Sequence, residues 1–567
     1  MQKNRWWRNK TVYQIYPRSF QDSNNDGIGD LKGILSRIDY LKELGVDIIW
    51  LGPIFSSPND DNGYDVSDYY SIMDEFGTME DFEQLLDALH EAGMKVLLDI
   101  VVNHTSDEHP WFQESRKSRE NPWRDYYIWR DPVNGGEPCN WESVFSDSVW
   151  NYDETTGQYV LHLYSKKQID LNWENPKVRD EVYRLSRFWL DKGVDGFRLD
   201  TIITISKDMD FPDAPVVHAG RKYQPGIQYY NDGPKLHDYL EEYKKNVFDD
   251  YNALVLGEAQ GFTPEQALCY LQDGSEVMDL AIQWEHIESS PGSGEKWDED
   301  TWNMPKFRKV MNKWQTELYQ KGWNCLYLSN HDQPRQVSRF GDTEHYWKES
   351  AKMLATCMHM MQGTPFVYQG EEIGMTNVDF GDISDYRCVE TRNYYASELR
   401  NGTAEPVIME RIRRKSRDNG RTPMQWDDSI YAGFSKVEPW IGVNPNYTAI
   451  NVQQERMDPD SIYHYYRKLL SLRKQYELIT EGRFELVMAE HPDLFAYRRA
   501  GRDEEMLVIC NFSGNEQFFT ETCRNGGKLL ISNYSDAPLE NDGSAMRPYE
   551  ARVYYWGAGE TRYDQVQ

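Results

Sequence analysis

The stretch Gly-Phe-Arg-Leu-Asp, residues 196–200, indicates the fold, and it ends an apolar-rich run that begins at Gly193. Side chains alternate between the two faces of a β-strand, so Arg198 and Asp200 would share one face. A guanidinium beside a carboxylate favours the ionised form of that carboxylate. An ionised aspartate at a strand end suits a nucleophile in glycosyl transfer, although it could also be one half of a structural ion pair. The surrounding sequence decides between these interpretations.

Similar apolar segments that end in polar residues recur along the chain. The predicted strands are 12–17, 48–54, 95–102, 193–200, 253–259, 277–282, 325–330 and 365–371. Amphipathic segments separate most of them, including 31–44, 79–92 and 176–192. This alternation of strands and helices predicts an α/β protein built on a (β/α)8 TIM barrel.

Polar residues cluster at the C-terminal ends of these predicted strands, where TIM barrels carry their active sites. They are Asn103 and His104 after the third strand, Asp200, Glu258, and the run Asn330-His331-Asp332. Chance would rarely place so many polar groups at strand ends. The pattern therefore favours a catalytic site over isolated structural ion pairs.

Four short motifs carry a resemblance to a known family. Asp-Ile-Val-Val-Asn-His (99–104), Gly-Phe-Arg-Leu-Asp (196–200), Leu-Gly-Glu (256–258) and Ser-Asn-His-Asp-Gln (329–333) resemble the four short regions of the α-amylase superfamily, glycoside hydrolase family 13. The segments 12–20, 167–173, 363–375 and 421–426 resemble its bacterial oligo-1,6-glucosidase and α-glucosidase branch. The resemblance implies an enzyme that cleaves short α-glucosides rather than starch.

Length and charge restrict the possible partners. The chain has 567 residues and a net charge of −31, from 62 Lys and Arg against 93 Asp and Glu. This acidity disfavours nucleic acid and anionic membranes as partners, and it argues weakly against phosphorylated substrates. The expected partners are small oligosaccharides, and the chain is expected to be a monomer or a weak homo-oligomer.

The sequence also predicts a cytoplasmic protein. Its first ten residues lack the apolar core of a signal peptide, and no long uncharged apolar run could span a bilayer. Seven cysteines, an odd number without close pairing, indicate reduced thiols rather than a disulfide framework.

The domain organisation follows from interruptions of the barrel pattern. Residues 1–103 and 170–479 form the predicted catalytic barrel, with an insertion at 377–428 after the eighth strand. Residues 104–169 form an inserted domain after the third strand, which in the resembled family is the B domain that walls one side of the pocket. Short alternating runs predict a C-terminal antiparallel β domain at 480–567.

The resemblance assigns three catalytic carboxylates. Retaining glycosidases need two close carboxylates, a nucleophile and an acid that later acts as a base. Asp200 resembles the nucleophile, Glu258 the acid/base, and Asp332 the third carboxylate that grips the hydroxyls of a distorted sugar. Neighbouring negative charge should raise the proton affinity of Glu258, and Gly257 would let the backbone pack tightly beside it.

The resemblance also assigns the substrate pocket. Its members are the donors His104 and His331, the floor residues Asp61 and Tyr64, the aromatic walls Phe145 and Tyr164, and Arg198 and Thr201 beside the nucleophile. Asp61 would pair with an arginine, which we assign as Arg417. Arg421 stays the alternative, because the sequence alone does not separate the two. A closed floor would admit only a non-reducing terminal sugar.

A separate motif, Asp22-Ser-Asn24-Asn-Asp26-Gly-Ile28-Gly-Asp30, resembles the first half of an EF-hand loop. It is not an EF-hand, because no glutamate occupies the twelfth position. The family parallel is a structural Ca²⁺ or Mg²⁺ site that uses the side chains of Asp22, Asn24, Asp26 and Asp30 and the carbonyl of Ile28. The alternative is a metal-free turn, and catalysis by carboxylates needs no metal.

Departures from the branch bear on the substrate. Thr201 stands where α-1,6-preferring relatives typically carry Val, and a smaller polar residue at this position resembles the pattern of α-1,4-acting maltases. The alternative is that Thr201 is only a β-branched residue at a strand end, with no influence on linkage. Glu258 is followed by Ala-Gln-Gly instead of Met-Pro-Gly. The segment 283–288 lacks the Arg-Leu-Asp-Arg-Asp run of sucrose isomerases, which favours hydrolysis.

The leading hypothesis is a retaining, exo-acting α-glucosidase for maltose-type or isomaltose-type oligosaccharides, with α-1,4 linkages slightly favoured. Alternatives are an oligo-1,6-glucosidase with mainly α-1,6 preference, or a sucrose-directed hydrolase or glucosyltransferase. A non-enzymatic relative, like barrel subunits of amino-acid transporters, is least favoured, because those proteins normally have an anchoring helix and broken catalytic motifs.

Overall fold

A parallel β-barrel forms the centre of the computed structural model, which describes residues 5–145, 147–288, 296–297, 302–521, 526–540 and 543–557. Its strands are β1 Val12–Ile15, β2 Ile48–Leu51, β3 Lys95–Val101, β4 Gly196–Asp200, β5 Leu254–Glu258, β6 Leu280–Ile282, β7 Cys325–Leu326 and β8 Thr364–Tyr368. Hydrogen-bonded neighbours run β6-β5-β4-β3-β2-β1-β8-β7. This confirms the predicted (β/α)8 barrel.

Side chains join the two strands at the ends of this order. The Tyr327 hydroxyl, after β7, donates to the carbonyl of Gln283, after β6, at 2.7 Å. The ring of His286 contacts the carbonyl of Tyr327 through Nε2 at 2.6 Å. These bonds close the ring, so the C-terminal ends of all eight strands face one mouth.

Helices surround the barrel and extend beyond it. They are α1 Leu31–Leu35, α2 Ile38–Leu44, α3 Met79–Glu91, α4 Pro110–Ser115, α5 Pro176–Asp191, α6 Leu236–Asn246, α7 Pro264–Leu271, α8 Met304–Glu317, α9 Gln336–Phe340, α10 Trp347–His359, α11 Val389–Arg400, α12 Glu405–Lys415, α13 Asp418–Arg421, α14 Val452–Met457, α15 Ile462–Gln475 and α16 Leu478–Glu481. The single helix predicted at 31–44 is divided in two. The Ser36 hydroxyl donates to the Gly33 carbonyl at 2.6 Å and competes with the helical backbone there.

The segment inserted after β3 has a small core of its own. Its strands Trp129–Arg130, Trp150–Asp153 and Gln158–Leu161 form a three-stranded antiparallel sheet. Buried Trp141 and Trp150 pack there against Phe211, which comes from the loop after β4. The inserted segment is therefore anchored to the strand that carries Asp200.

A buried ammonium group also joins the two residues that flank this segment, Asn103 and Asp170, to the loop after β4. Lys207 Nζ lies 3.0 Å from Asp170 Oδ1, and both side chains are at most 1% exposed. It also donates to Asn103 Oδ1 at 3.0 Å and to the Thr204 carbonyl at 2.7 Å. Burial lowers the pKa of Lys207 from its ordinary value, so these oxygens must compensate for the lost hydration.

A second sheet follows the barrel near the C-terminus. Its strands are β9 Arg483–Val487, β10 Leu494–Ala500, β11 Glu505–Asn511, β12 Lys528–Ser532 and β13 Ala551–Trp556, in the antiparallel order β9-β10-β11-β13-β12. This confirms the predicted C-terminal β domain, whereas the proposed domain boundaries stay predictions. None of the helices in the described ranges combines the length and apolarity that crossing a bilayer would require.

We expect Lys207→Met to lower the stability of the folded chain, because it leaves the Asp170 carboxylate buried without its partner. Breaking a buried ion pair in this way costs about 3–5 kcal/mol. Lys222→Met is the matched control, since Lys222 is 66% exposed and also pairs with a carboxylate, that of Glu137; surface pairs contribute only about 0–1 kcal/mol. Thermal unfolding of both variants checks this, and equal melting temperatures would contradict it.

Candidate active site

The guanidinium of Arg198 is the centre of a buried charge cluster at the barrel mouth. Its Nη1 donates to Asp99 Oδ1 at 2.8 Å and to Asp200 Oδ1 at 2.6 Å. Its Nη2 lies 2.7 Å from Glu258 Oε2. The register of the sheet explains this meeting, because Arg198 lies beside Asp99 across the β3–β4 pair and Glu258 ends β5.

One positive charge is thus shared by three carboxylates. Burial raises the pKa of Asp200 to about 7 and that of Asp99 to about 6, and it also raises the pKa of Glu258. Arg198 opposes each of these shifts without outweighing burial. The sequence suggested that Arg198 would keep Asp200 ionised; instead, burial outweighs Arg198 and raises the pKa of Asp200.

Asp332, by contrast, contacts two arginines, one of which it shares with Asp61. Its Oδ1 lies 2.8 Å from Arg421 Nη2 and 3.2 Å from Arg417 Nη1, and its Oδ2 lies 3.0 Å from His331 Nε2. Burial alone would raise the pKa of Asp332, but His331 and both arginines outweigh burial and hold the pKa well below its usual value. Burial lowers the pKa of His331 itself, so at neutral pH the two arginines supply the positive charge.

The pair at the pocket floor is Asp61 and Arg417. Arg417 Nη2 lies 2.8 Å from Asp61 Oδ1, and both side chains are buried. Arg421 instead contacts Asp332 and the His331 carbonyl, the latter at 3.0 Å. Only the fold distinguishes these two arginines, which are four residues apart in the sequence.

Two histidines flank the carboxylates. His331 stacks on Tyr64 with ring centroids 5.3 Å apart, and the Tyr64 hydroxyl donates to Asp99 Oδ2 at 3.0 Å. His104 Nε2 lies 3.2 Å from Gln168 Nε2, which also donates to Asp61 Oδ2 at 3.3 Å. Burial lowers the pKa of His104 to about 4, so both imidazoles are neutral near pH 7.

The inserted segment supplies an aromatic wall. The ring of Phe145 lies 5.0 Å from the Arg417 guanidinium carbon and 5.7 Å from the ring of Tyr164. Tyr164 in turn lies 5.3 Å from the ring of His104. All the residues that the sequence placed around the sugar pocket therefore lie at this one end of the barrel.

Thr201 and Gly257 control how closely the backbone approaches the carboxylates. The Thr201 hydroxyl is 3.4 Å from Asp200 Oδ2, and the main-chain N–H of Thr201 donates to Glu258 Oε2 at 3.0 Å. A Cβ on Gly257 would lie only 2.3 Å from Met278 Sδ, so a larger residue beside Glu258 would require the Met278 side chain to move.

The acidic loop 22–30 lies apart from this cluster. Asp22 accepts hydrogen bonds from the N–H groups of Asn25 (2.7 Å) and Gly27 (3.0 Å), and Asp26 accepts one from Ile28 (2.8 Å). Asp30 caps α1 through the N–H of Gly33. Within the ranges that the structure describes, no group of three or more His, Cys, Asp or Glu side chains is arranged to hold a metal ion.

Sequence reasoning left Asp99, Gln168 and Lys207 out of the site. Asp99 had a detectable signal, because it is the one charged residue inside an otherwise apolar strand core and it belongs to a quoted motif. Gln168 lies in the quoted segment 167–173, but nothing in the sequence showed that its side chain reaches Asp61 and His104; Lys207 gave no signal.

Comparison with known proteins agrees with this geometry. The model of the α-amylase catalytic domain matches residues 14–482, and that of the C-terminal domain of α-amylase SusG matches residues 494–553. The chain belongs to the α-amylase family of glycoside hydrolases. It is 55% identical, over 97% of its length and 98% of the relative's, to the oligo-1,6-glucosidase of Parageobacillus thermoglucosidasius.

Two solved structures of this family are also similar over nearly the whole chain. The trehalose-6-phosphate hydrolase of Bacillus licheniformis is 47% identical with a TM-score of 0.92, covering 98% of this chain and 100% of that one. The trehalulose synthase MutB of Pseudomonas mesoacidophila is 41% identical with a TM-score of 0.92, covering 97% of this chain and 99% of that one. One scaffold thus carries three differently named activities.

Proposed function

We propose that this glycoside hydrolase is a retaining, exo-acting α-glucosidase that releases glucose from the non-reducing end of short α-glucosides by double displacement. The observation that carries the proposal is that Asp200 and Glu258 contact neighbouring nitrogens of a single guanidinium, that of Arg198. Two carboxylates held by one guanidinium suit the closely spaced nucleophile and acid/base of a retaining glycosidase.

In the first step, Asp200 attacks the anomeric carbon of the terminal glucose while Glu258 gives its proton to the glycosidic oxygen. The leaving sugar departs with that proton, and a covalent glucosyl ester forms on Asp200. In the second step, Glu258 takes a proton from water, which attacks the same carbon and releases glucose with its original anomeric configuration. The raised proton affinity of Glu258 supports its role as the acid near neutral pH.

Asp332 is proposed to grip the sugar during both steps. The two arginines keep it ionised, so it can accept hydrogen bonds from sugar hydroxyls, and its charge favours the positive, oxocarbenium-like transition state. Neutral His104 and His331 can donate to other hydroxyls without adding positive charge to the pocket.

The closed floor supports an exo mode of action. We infer that the Asp61–Arg417 pair, against which Phe145 packs, closes the pocket beyond a single sugar, so that only a chain end can enter. We also propose a cytoplasmic location, because the six cysteines in the described part of the chain are unpaired thiols.

The preferred linkage separates two candidates. The Thr201 hydroxyl near Asp200 supports an α-1,4 preference, whereas the relative that is 55% identical is named an oligo-1,6-glucosidase. The test is a panel of maltose, isomaltose, sucrose, trehalose and trehalose-6-phosphate, assayed for glucose release. It distinguishes the α-1,4 from the α-1,6 preference, and both from the activities named for the two solved relatives.

Asp200→Asn should abolish turnover and leave the fold intact, because the amide keeps the shape of the nucleophile without its reactivity. Glu258→Gln should cripple hydrolysis of maltose but spare the first step with substrates whose leaving groups are very acidic. In a crystal structure, the two carboxyl groups should lie about 5–5.5 Å apart. NMR of the glucose first released reports its anomeric configuration. An inverted anomer would refute double displacement.

Thr201→Val should shift preference towards α-1,6 linkages. It removes a hydroxyl and adds a methyl where an α-1,4-linked second sugar lies closest, and the extra bond of an α-1,6 linkage lets its sugar avoid that methyl. Such a change is worth about 1–3 kcal/mol, or roughly ten- to a hundred-fold in relative kcat/KM. The test is the maltose-to-isomaltose ratio of kcat/KM, with Thr201→Ser as the control that keeps the hydroxyl. An unchanged ratio in Thr201→Val leaves this residue without a part in linkage choice.

We propose that the loop 22–30 holds a structural Ca²⁺ or Mg²⁺ ion through Asp22, Asn24, Asp26, Asp30 and the Ile28 carbonyl. These are hard oxygen ligands, and the two carboxylate oxygens of Asp26 each accept a single hydrogen bond and so keep a second lone pair. Positive φ angles at Asn25 (65°) and Gly27 (89°) give the loop two tight bends.

Chelation should therefore lower the melting temperature while initial rates at moderate temperature stay nearly constant, because an ion that binds only the folded state stabilises it by mass action. Asp26→Asn should melt like the chelated enzyme and respond no further to the chelator. Identical melting of the native enzyme with and without chelator would disprove the metal site.

A further inference from the structure

A strained turn follows the strand that carries Asp200. Thr201 has φ 40° and ψ 34°, in the left-handed region, which a β-branched residue adopts only at a cost. Thr204 fixes this turn twice, since its N–H and its hydroxyl donate to the Thr201 carbonyl at 2.9 and 2.8 Å. Strain that persists beside an active site calls for a functional explanation.

The turn directs the main-chain N–H of Thr201 at the carboxylate of Glu258. The nitrogen lies 3.0 Å from Oε2, the same oxygen that Arg198 Nη2 contacts at 2.7 Å. An amide N–H and a guanidinium can donate hydrogen bonds but cannot accept them. A proton on Oε2 would therefore face two donors, and Oε1 is the position that the surroundings leave for it.

We propose that the main-chain N–H of Thr201 is a positioning group that fixes which oxygen of Glu258 carries the catalytic proton. The inference rests on the proposed role of Glu258 as the acid/base. The contact needs no particular side chain at position 201, only the left-handed backbone. It also separates two roles of Thr201, because the hydroxyl points at Asp200 while the N–H serves Glu258.

The contact has a defined effect on pH dependence. A donor to the ionised carboxylate favours ionisation, so loss of the N–H should raise the pKa of Glu258 and move the basic limb of kcat/KM to higher pH. The other charged or titratable groups that act on Glu258 are Arg198, Asp99, Asp200, Asp332, Tyr164 and Tyr327. All of them remain in place when only the N–H is removed.

The experiment replaces Thr201 in the full-length enzyme by its α-hydroxy analogue, which exchanges the N–H for an ester oxygen and keeps the side chain. The matched control is the same exchange at Thr204, whose N–H donates within the turn and not to Glu258. We expect the ester at 201 to move the basic limb up by about 0.5–1 pH unit and to lower kcat about tenfold or more, since a hydrogen bond to a charged group is lost. The ester at 204 should leave the limb in place, because the Thr204 hydroxyl still donates to the Thr201 carbonyl and holds the turn.

Thr201→Gly provides a second comparison, because glycine keeps the N–H and adopts the left-handed region without strain. Its basic limb should match that of the native enzyme. The inference is overturned if the ester at 201 leaves the limb unmoved, or if Thr201→Gly moves it as far as the ester does. A native enzyme that hydrolyses no α-glucoside in the panel would instead overturn the proposed function, so the two failures are distinguishable.

Discussion

The buried guanidinium of Arg198 is the interaction on which the rest of the site depends. Three strands of the barrel bring a carboxylate to it, and each of these groups is at most 6% exposed. Buried charges persist only when they are paired and hydrogen-bonded. The barrel supplies that pairing by register, since β3, β4 and β5 are hydrogen-bonded neighbours. The register of the sheet therefore determines both how the strands pack and which charges meet in the site.

An uneven distribution of positive charge then separates the carboxylates by role. Asp99, Asp200 and Glu258 share one arginine and have raised pKa values, whereas Asp332 contacts two arginines and its pKa is lowered. Environments that push the pKa values of neighbouring acids apart are the usual means by which an enzyme obtains an acid and an anion in one pocket. Burial acts on all four groups, so it is the allocation of the arginines that makes the difference.

The sequence was sufficient to locate the strands and most of the pocket, because apolar runs that end in polar residues mark strand ends whatever the tertiary context. It could not show that Asp99 meets Arg198, since that depends on strand register, nor could it choose between Arg417 and Arg421. It also overestimated the effect of Arg198 on Asp200, because the depth of burial is a property of the assembled barrel. The left-handed turn at Thr201 had no sequence signal, as threonine rarely adopts it.

The floor of the pocket has a consequence for biosynthesis. Asp61 and the Arg417 that neutralises it are separated by 356 residues. At ribosomal speeds of about 5–20 residues per second, Asp61 leaves the ribosome roughly 20 to 70 seconds before its partner. During that interval the first barrel strands cannot bury Asp61 as a paired charge, so the pocket closes only after the helical segment beyond β8 has been made. The nascent chain therefore cannot form the complete pocket floor until Arg417, about three quarters of the way along the 567 residues, has been made.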